Sequence, residues 1–380
     1  MIVAYDATSI LGHSGIEVYA RELIRGVSSL HLPDLRVVLM GRRRRYEALS
    51  EYFGSGVEIR SVLPHDLLLG EALRPIARLL QKQAWKKSTH DVDLVHMPGN
   101  TLWRVPSTPC VVTIHDVFPL MPNMGVVNKN RDEFHRHAEA SSRAAKLIIV
   151  PTKWTAETLV EYLPWTEGKI RVVPHSIREK FHHSPMSNEK LESLGIPAGG
   201  EFLFFVGRVD PRKNLDRILE AWGSLGNEDC RDRYLMLVLS GDPDEIDGFR
   251  RVHRETLLDP SIIIKYGLSD DDIIGLYSSA RALIFVSTAE GFGLPVLEAM
   301  QCGCPVLTST STCLPEVGGN AVLYADPFSV KDIAEGMLTL LHNNDVIEDL
   351  RRRGSERALM FSREAMARGT VDVYHEALGL

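Results

Sequence analysis

Cysteine is scarce, with five in 380 residues. So odd and sparse a count builds no disulfide framework and points to a reducing compartment. Cys302-Gly303-Cys304 and the nearby Cys313 have no His close in sequence and fit no common zinc spacing, so they read as buried structural thiols. No apolar run approaches the ~20 residues of a bilayer span. The opening Met1-Ile2-Val3-Ala4-Tyr5-Asp6 has no basic segment and no cleavage site, so a secretory signal is not expected. There is no strict repeat and no low-complexity segment, which excludes solenoids and disordered tails. Aromatics are seldom interleaved with basic residues, and 43 Lys+Arg against 50 Asp+Glu leave a net charge of −7, which argues against nucleic acid.

What is present fits a globular enzyme, with 44% hydrophobic and 24% charged residues. At roughly 150 residues per domain, the length suggests two domains or a little more. Short apolar runs alternate with helical periods. Strands are expected at Ile2–Tyr5, Arg36–Met40, Leu94–Met97, Cys110–His115 and Leu147–Val150. Helices are expected at Ile16–Leu30, Arg131–Ala145 and Lys153–Leu163, the last capped by Thr152. The pattern restarts after an irregular stretch at 182–200, with strands at Phe202–Val206, Tyr234–Leu239, Ile262–Tyr266, Ala282–Val286 and Pro305–Leu307. Continuous apolar strands, each followed by a helix, indicate parallel sheets covered on both faces. The fold expected is α/β, two doubly wound Rossmann-like domains facing a central cleft. Residues 1–175 form the first and 176–360 the second, with a helix at about 361–380 packing back on the first. A ligand would lie against the carboxyl ends of the strands. Charge divides at the same place, with 22 basic and 18 acidic residues before 176 and 21 and 32 after it. The basic first half suggests an anionic partner.

The longest local signal is Ala289-Glu290-Gly291-Phe292-Gly293-Leu294-Pro295-Val296-Leu297-Glu298. Two glycines before a helix allow close backbone approach, and Pro295 suits a first helical turn. The helix start then offers free N–H groups and a positive dipole end to a phosphate. Carboxylates beside an anion site have hydroxyls as natural partners. Glu290 and Glu298 therefore suggest a nucleotide-sugar, one acid for a sugar and one for a ribose. A second signal, Gly207-Arg208-Val209-Asp210-Pro211-Arg212-Lys213-Asn214, ends a strand and starts a helix that Asn214 is expected to cap. Arg208 and Lys213 there suit a diphosphate leaving group, neutralised without a metal ion.

Gly207-Arg208-x4-Lys213-Asn214 and Glu290-x7-Glu298 resemble the retaining glycosyltransferases of family 4, which have the GT-B fold, and in particular bacterial mannosyltransferases of polysaccharide assembly. The resemblance implies that Arg208 and Lys213 bind diphosphate, Glu290 the donor sugar and Glu298 the ribose. It implies that Gly291, Phe292, Gly293 and Leu294 hold sugar or phosphate oxygens through their N–H groups, and that Tyr266 lies along the base. His115 matches a family histidine near the transferred sugar; Asp116 beside it reads equally as a cap. Gly12, Ser14, Gly15 and Glu17 occupy the family's first glycine loop, on the donor and acceptor side. Glu17 departs from the pattern, because a carboxylate favours the helix start but not a diphosphate.

Asp91-Val92-Asp93, Asp242-Pro243-Asp244 and Asp270-Asp271-Asp272 look like metal-binding acids, but such spacings arise easily among 50 acids; Asp270 reads as a helix cap, and no metal or other cofactor is expected. Arg42, Arg43, Arg44 and Arg45, then Arg74, Arg78, Lys82, Lys86 and Lys87, form a basic surface. It suits either an anionic membrane carrying a lipid-linked acceptor or plain solvent. The expected place of action is the cytoplasm, with peripheral binding to the inner membrane face as the further option.

The expected activity is metal-independent, retaining transfer of a hexose to a saccharide or lipid-linked acceptor in surface polysaccharide synthesis. Mannose from GDP-mannose is preferred, with UDP-sugars open. The rivals are a nucleotide-sugar epimerase on the same fold and a non-catalytic nucleotide-sugar-binding module.

Overall fold

The computed structural model describes residues 1–7, 10, 15–41, 46–54, 57–61, 83–99, 108–121, 131–226, 228–229 and 231–380. The chain forms two units. One takes the described residues of 1–121 and 131–176 together with Ser362–Leu380; the other takes Ile177–Phe361.

The first unit holds β1 (Ile2–Asp6), β2 (Arg36–Gly41), β3 (Glu58–Ser61), β4 (Leu94–Met97), β5 (Cys110–Thr113), β6 (Leu147–Val150) and β7 (Ile170–Val172). They form one parallel sheet in the order β3-β2-β1-β4-β5-β6-β7. Tyr5 of β1 stands level with Leu39 on one side and His96 on the other. β4, β5 and β6 are buried along their whole length, as expected of strands covered on both faces. One face packs Val3, Tyr5, Leu39 and Ile149; the other packs Ala4, Val38, Val112 and Ile148.

The helix Arg363–Leu378 closes this unit against the helix Gly15–Ser29. The two approach so closely that a Cβ on Gly26 would meet Arg363 Cγ at 2.9 Å. Arg363 Nη2 donates to Glu22 Oε2 at 2.6 Å across the seam, and both side chains are nearly buried.

The second unit holds β8 (Glu201–Arg208), β9 (Arg233–Ser240), β10 (Ile262–Tyr266), β11 (Ala282–Phe285), β12 (Val306–Ser309) and β13 (Leu323–Ala325). They form a parallel sheet in the order β10-β9-β8-β11-β12-β13. Strand order reverses between β8 and β11, and the crevice at such a switch point is where this topology binds ligands. Large apolar side chains fill both faces, with Phe204 and Phe285 on one and Phe205 and Trp222 on the other.

Side-chain caps start several helices. Thr152 Oγ1 accepts from Thr155 N, and Asp242 and Ser269 form capping boxes with Glu245 and Asp272. Ser269, not Asp270, is thus the cap of the helix Asp270–Ser279; Asp270 sits in its first turn and takes an arginine, described below. Among the described residues no helix is long and apolar enough to cross a membrane.

Candidate active site

β8 and β11 end side by side, and their following loops are tied together. Thr288 N donates to Arg212 O at 2.8 Å, and Asn214 Nδ2 donates to Val286 O at 3.0 Å and to Pro327 O at 2.7 Å. Asn214 corrects the sequence expectation. It adopts φ 63° and makes no side-chain cap to the helix Leu215–Gly223, because its buried amide satisfies two carbonyls of neighbouring loops instead. Asn tolerates this left-handed conformation better than most residues.

This tie sets Lys213 against Glu290, with Lys213 Nζ donating to Glu290 Oε1 at 2.6 Å. Their side chains are 17% and 12% exposed. Lys213 Nζ also lies 4.8 Å from the centre of the Phe285 ring, within cation–π range. The Glu290 backbone is fixed on both sides, since its N–H donates to Thr312 Oγ1 at 3.1 Å and its carbonyl accepts from Cys313 Sγ at 2.9 Å. Arg208, following Gly207 at the end of β8, is well exposed and donates to Glu245 Oε2 at 3.1 Å. Asp210 holds Arg212. Burial raises the Asp210 carboxyl, but the Arg212 guanidinium outweighs it and leaves a net shift below the usual range.

Gly291, Phe292 and Gly293 lead into the helix Leu294–Gln301. Gly293 has φ 98°, and a Cβ there would meet Leu314 Cδ2 at 2.7 Å, so glycine is required on two counts. Leu294 and Pro295 open the helix. Phe292 is buried edge-on to Phe361. Further along, Glu298 is buried and is not left alone: Arg178 Nη2 donates to its Oε1 at 2.8 Å. That partner lay 120 residues away, in a stretch with no legible periodicity. Tyr266, at the end of β10, is 57% exposed, as a stacking surface would be.

The remaining site residues belong to the first unit. His115 follows β5 and is buried. Its Nε2 lies 3.0 Å from Pro98 O, and a carbonyl only accepts, so Nε2 carries the proton. Burial lowers its pKa to about 4, with the Pro98 carbonyl opposing, so the ring is neutral at pH 7 and Nδ1 accepts. The donor is His175 Nε2, at 2.9 Å. Burial, then the charge of His115, holds His175 well below the ordinary value too. Tyr19 packs against both rings, and its Oη meets Thr113 Oγ1 at 3.1 Å. His96 joins the same buried set through Thr113 at 2.8 Å and Tyr374 at 2.6 Å. His175 and His96 are therefore additions to the sequence reading; nothing in their spacing marks them, because three separate strand ends bring them to His115.

Asp116 Oδ1 accepts from Phe118 N at 3.3 Å, although the cap position of the short helix Phe118–Leu120 is Val117, which makes no side-chain cap. Gly15 and Glu17 lie in the first turn of the helix Gly15–Ser29, Gly15 exposed and Glu17 half-buried. Gly12 and Ser14 fall outside the described residues, as do Arg42, Arg43, Arg44, Arg45, Arg74, Arg78 and Lys82. Lys86 and Lys87 are exposed. The acidic triplets have internal partners: Asp91 takes Arg60, Asp93 takes Ile2 N, and Asp272 takes Lys190. Cys110, Cys302, Cys304 and Cys313 are buried free thiols, and burial pushes Cys302 up to about 12.

The two halves each match a known family. A model described as Glycosyltransferase Family 4 matches residues 13–180, and one described as Glycosyl transferases group 1 matches residues 186–358. The O-antigen chain mannosyltransferase B of Escherichia coli is 38% identical over 302 residues, 77% of this chain and 77% of that protein. The serotype-specific mannosyltransferase WbdA of Escherichia coli is 30% identical over 270 residues, 69% of this chain; the chain spans about a third of WbdA, as the match covers 32% of it. HepE of Anabaena, solved with UDP and glucose, superposes with a TM-score of 0.76 at 16% identity, covering 99% of this chain and 100% of that one. That likeness concerns the fold. With two parallel Rossmann-like sheets and these relatives, the chain belongs to the family 4 glycosyltransferases of the GT-B fold.

Proposed function

We propose that the protein is a retaining, metal-independent mannosyltransferase that uses GDP-mannose and acts on a saccharide or lipid-linked saccharide in surface polysaccharide assembly. The observation that carries the reading is the Lys213–Glu290 pair at the switch point, beside the start of the helix Leu294–Gln301. A cation for the diphosphate and a carboxylate for sugar hydroxyls stand there in one contact. The choice of mannose leans on the two relatives named for it.

In this mechanism Arg208 and Lys213 gather the charge that grows on the leaving diphosphate, and the helix start adds its N–H groups. The leaving phosphate takes the proton of the incoming hydroxyl, so the bond to the acceptor forms on the face from which the diphosphate departs. Before the donor arrives both cations are held by acids, Glu245 and Glu290. Their exchange onto phosphate is part of binding. A UDP-sugar is the second reading, favoured by the UDP and glucose bound to the HepE neighbour.

The test is transfer from GDP-mannose, UDP-glucose, UDP-galactose and UDP-GlcNAc to lipid-linked oligosaccharides, with EDTA present. The expected product is an α-mannoside from GDP-mannose alone. Transfer only from a UDP-sugar overturns the donor, and an inverted product overturns the mechanism.

A further inference from the structure

Arg178 stands at the beginning of the second unit, and three residues hold its side chain. Its Nε and Nη2 donate to Glu298 Oε1 at 3.2 and 2.8 Å. Its Nη1 donates to Asp270 Oδ1 and Oδ2 at 3.2 and 3.1 Å. Its guanidinium lies 4.2 Å from the centre of the ring of Phe181, which is fully buried. Lys180 pairs with the same Asp270. Both acids are on helices that begin at the carboxyl end of the sheet, Asp270–Ser279 after β10 and Leu294–Gln301 after β11. The arrangement takes one carboxylate oxygen of Glu298 and leaves the other a long contact to a buried phenol, longer than an ordinary O–H···O bond, with room for a second donor. Among the described residues, Oε2 meets only Tyr277 Oη, at 3.5 Å.

We propose that Arg178 is a positioning residue for nucleotide recognition: it pins Oε1 of Glu298 so that Oε2 is presented to a ribose hydroxyl. The proposal rests on the donor reading above and extends it to a residue outside both motifs. A glutamate on a helix turns about several single bonds, and a hydroxyl that must first select one rotamer binds more weakly. The fork to Oε1 removes that freedom before the nucleotide arrives. Asp270 and Phe181 in turn fix the guanidinium, so the whole assembly is rigid from the buried ring outward. A mere structural bridge between two helices would make the same contacts but would not depend on the ribose.

The experiment titrates GDP, UDP and their 2′,3′-dideoxy counterparts into the wild-type chain, R178M and R178K, with thermal midpoints recorded for each. A charge-assisted hydrogen bond predicts that wild type prefers the parent nucleotide by ~10-fold or more. In R178M that ratio is expected to fall to within ~3-fold, through weaker binding of the parent while the dideoxy ligand is unaffected. Asp270 keeps Lys180 in this variant, which favours folding. R178K retains the charge without the fork, and its ratio is expected between the two; it carries the test if R178M does not fold. An unchanged ratio in a folded variant, or equal weakening of both ligands, overturns the proposal and leaves the donor reading standing. A wild-type chain that binds the nucleotides with no preference for the hydroxyls overturns it as well. A wild-type chain that binds neither nucleotide overturns the donor reading itself, and the proposal with it.

Discussion

Replacing Lys213 by methionine keeps most of the side chain and removes its charge. Lys213 Nζ lies 2.6 Å from Glu290 Oε1, with both side chains largely buried. At an effective dielectric of ~20, unit charges ~4 Å apart attract by about 4 kcal/mol, and desolvation takes back much of that. A double-mutant cycle with E290Q, followed by urea unfolding, is therefore expected to give a coupling of ~0.5–3 kcal/mol. The functional loss is separate. If Lys213 also meets the diphosphate, K213M weakens GDP or UDP binding by ~1.5–3 kcal/mol, roughly 10- to 100-fold, and leaves the bare nucleosides unaffected. Turnover falls further, by ~10²–10³, if the contact strengthens in the transition state. E290Q alone behaves oppositely in binding. It frees Lys213 and removes a negative charge, so the free nucleoside diphosphate binds at least as tightly as to wild type while transfer is lost. Calorimetric titration checks each arm. Coupling of K213M to E290Q in stability, with diphosphate binding as in wild type, would contradict this role, because the pair would then serve only the fold.

Other outcomes follow from the same geometry. G293A must place a side chain at φ 98° against Leu314, so it should lose ~1–3 kcal/mol of stability, read by urea midpoint, together with nucleotide affinity. Burial, and next the charge of His115, lower the pKa of His96 to about 3. The unfolded chain therefore takes up a proton near pH 6.5 that the folded chain refuses; stability is full above that pH and falls as pH drops toward 3. The thermal midpoint should decline from pH 7 to 5 in wild type and less steeply in H96Q. R363M breaks the pair with Glu22 at the seam with the C-terminal helix, leaving Glu22 only Arg25 at 3.7 Å, and should cost ~1.5–3 kcal/mol, the range for a hydrogen bond to a charged group, in the same urea assay. Nitrogen NMR at pH 7 should show His115 neutral with its proton on Nε2.

The central strands were legible because a parallel strand covered on both faces has to be apolar throughout. Leu147–Val150 and Ala282–Phe285 are of this kind, and both are fully buried. The strands that escaped notice are β3, β7 and β13, at the edges of their sheets. Each has only three or four residues, and the burial given for β7 and β13 is largely partial; Arg60 and Arg171 interrupt β3 and β7, while Leu323–Ala325 is apolar but too short to stand out as a strand. The start of the helix Leu294–Gln301 was readable from Gly293 and Pro295, since backbone geometry restricts those places to few residue types. What was not readable is who holds whom. Asn214 looks like a cap and bonds two carbonyls of distant loops; Glu298 looks solitary and is forked by Arg178; His115 looks alone and is paired with His175. Each of these contacts joins separate parts of the chain after folding, and residue spacing carries no record of them.

The central proposal is a nucleotide-sugar site in Ile177–Phe361 that needs no metal. The measurement that tests it most directly is thermal unfolding of the chain with GDP-mannose, GDP, UDP-glucose and UDP, each with and without EDTA. A ligand at ~100 times its dissociation constant adds about 2.7 kcal/mol of stability, which moves the midpoint by degrees. The expected result is a clear shift with the guanine ligands, unchanged by EDTA and reduced by half or more in K213M. A folded sample that shows no shift with any nucleotide contradicts it.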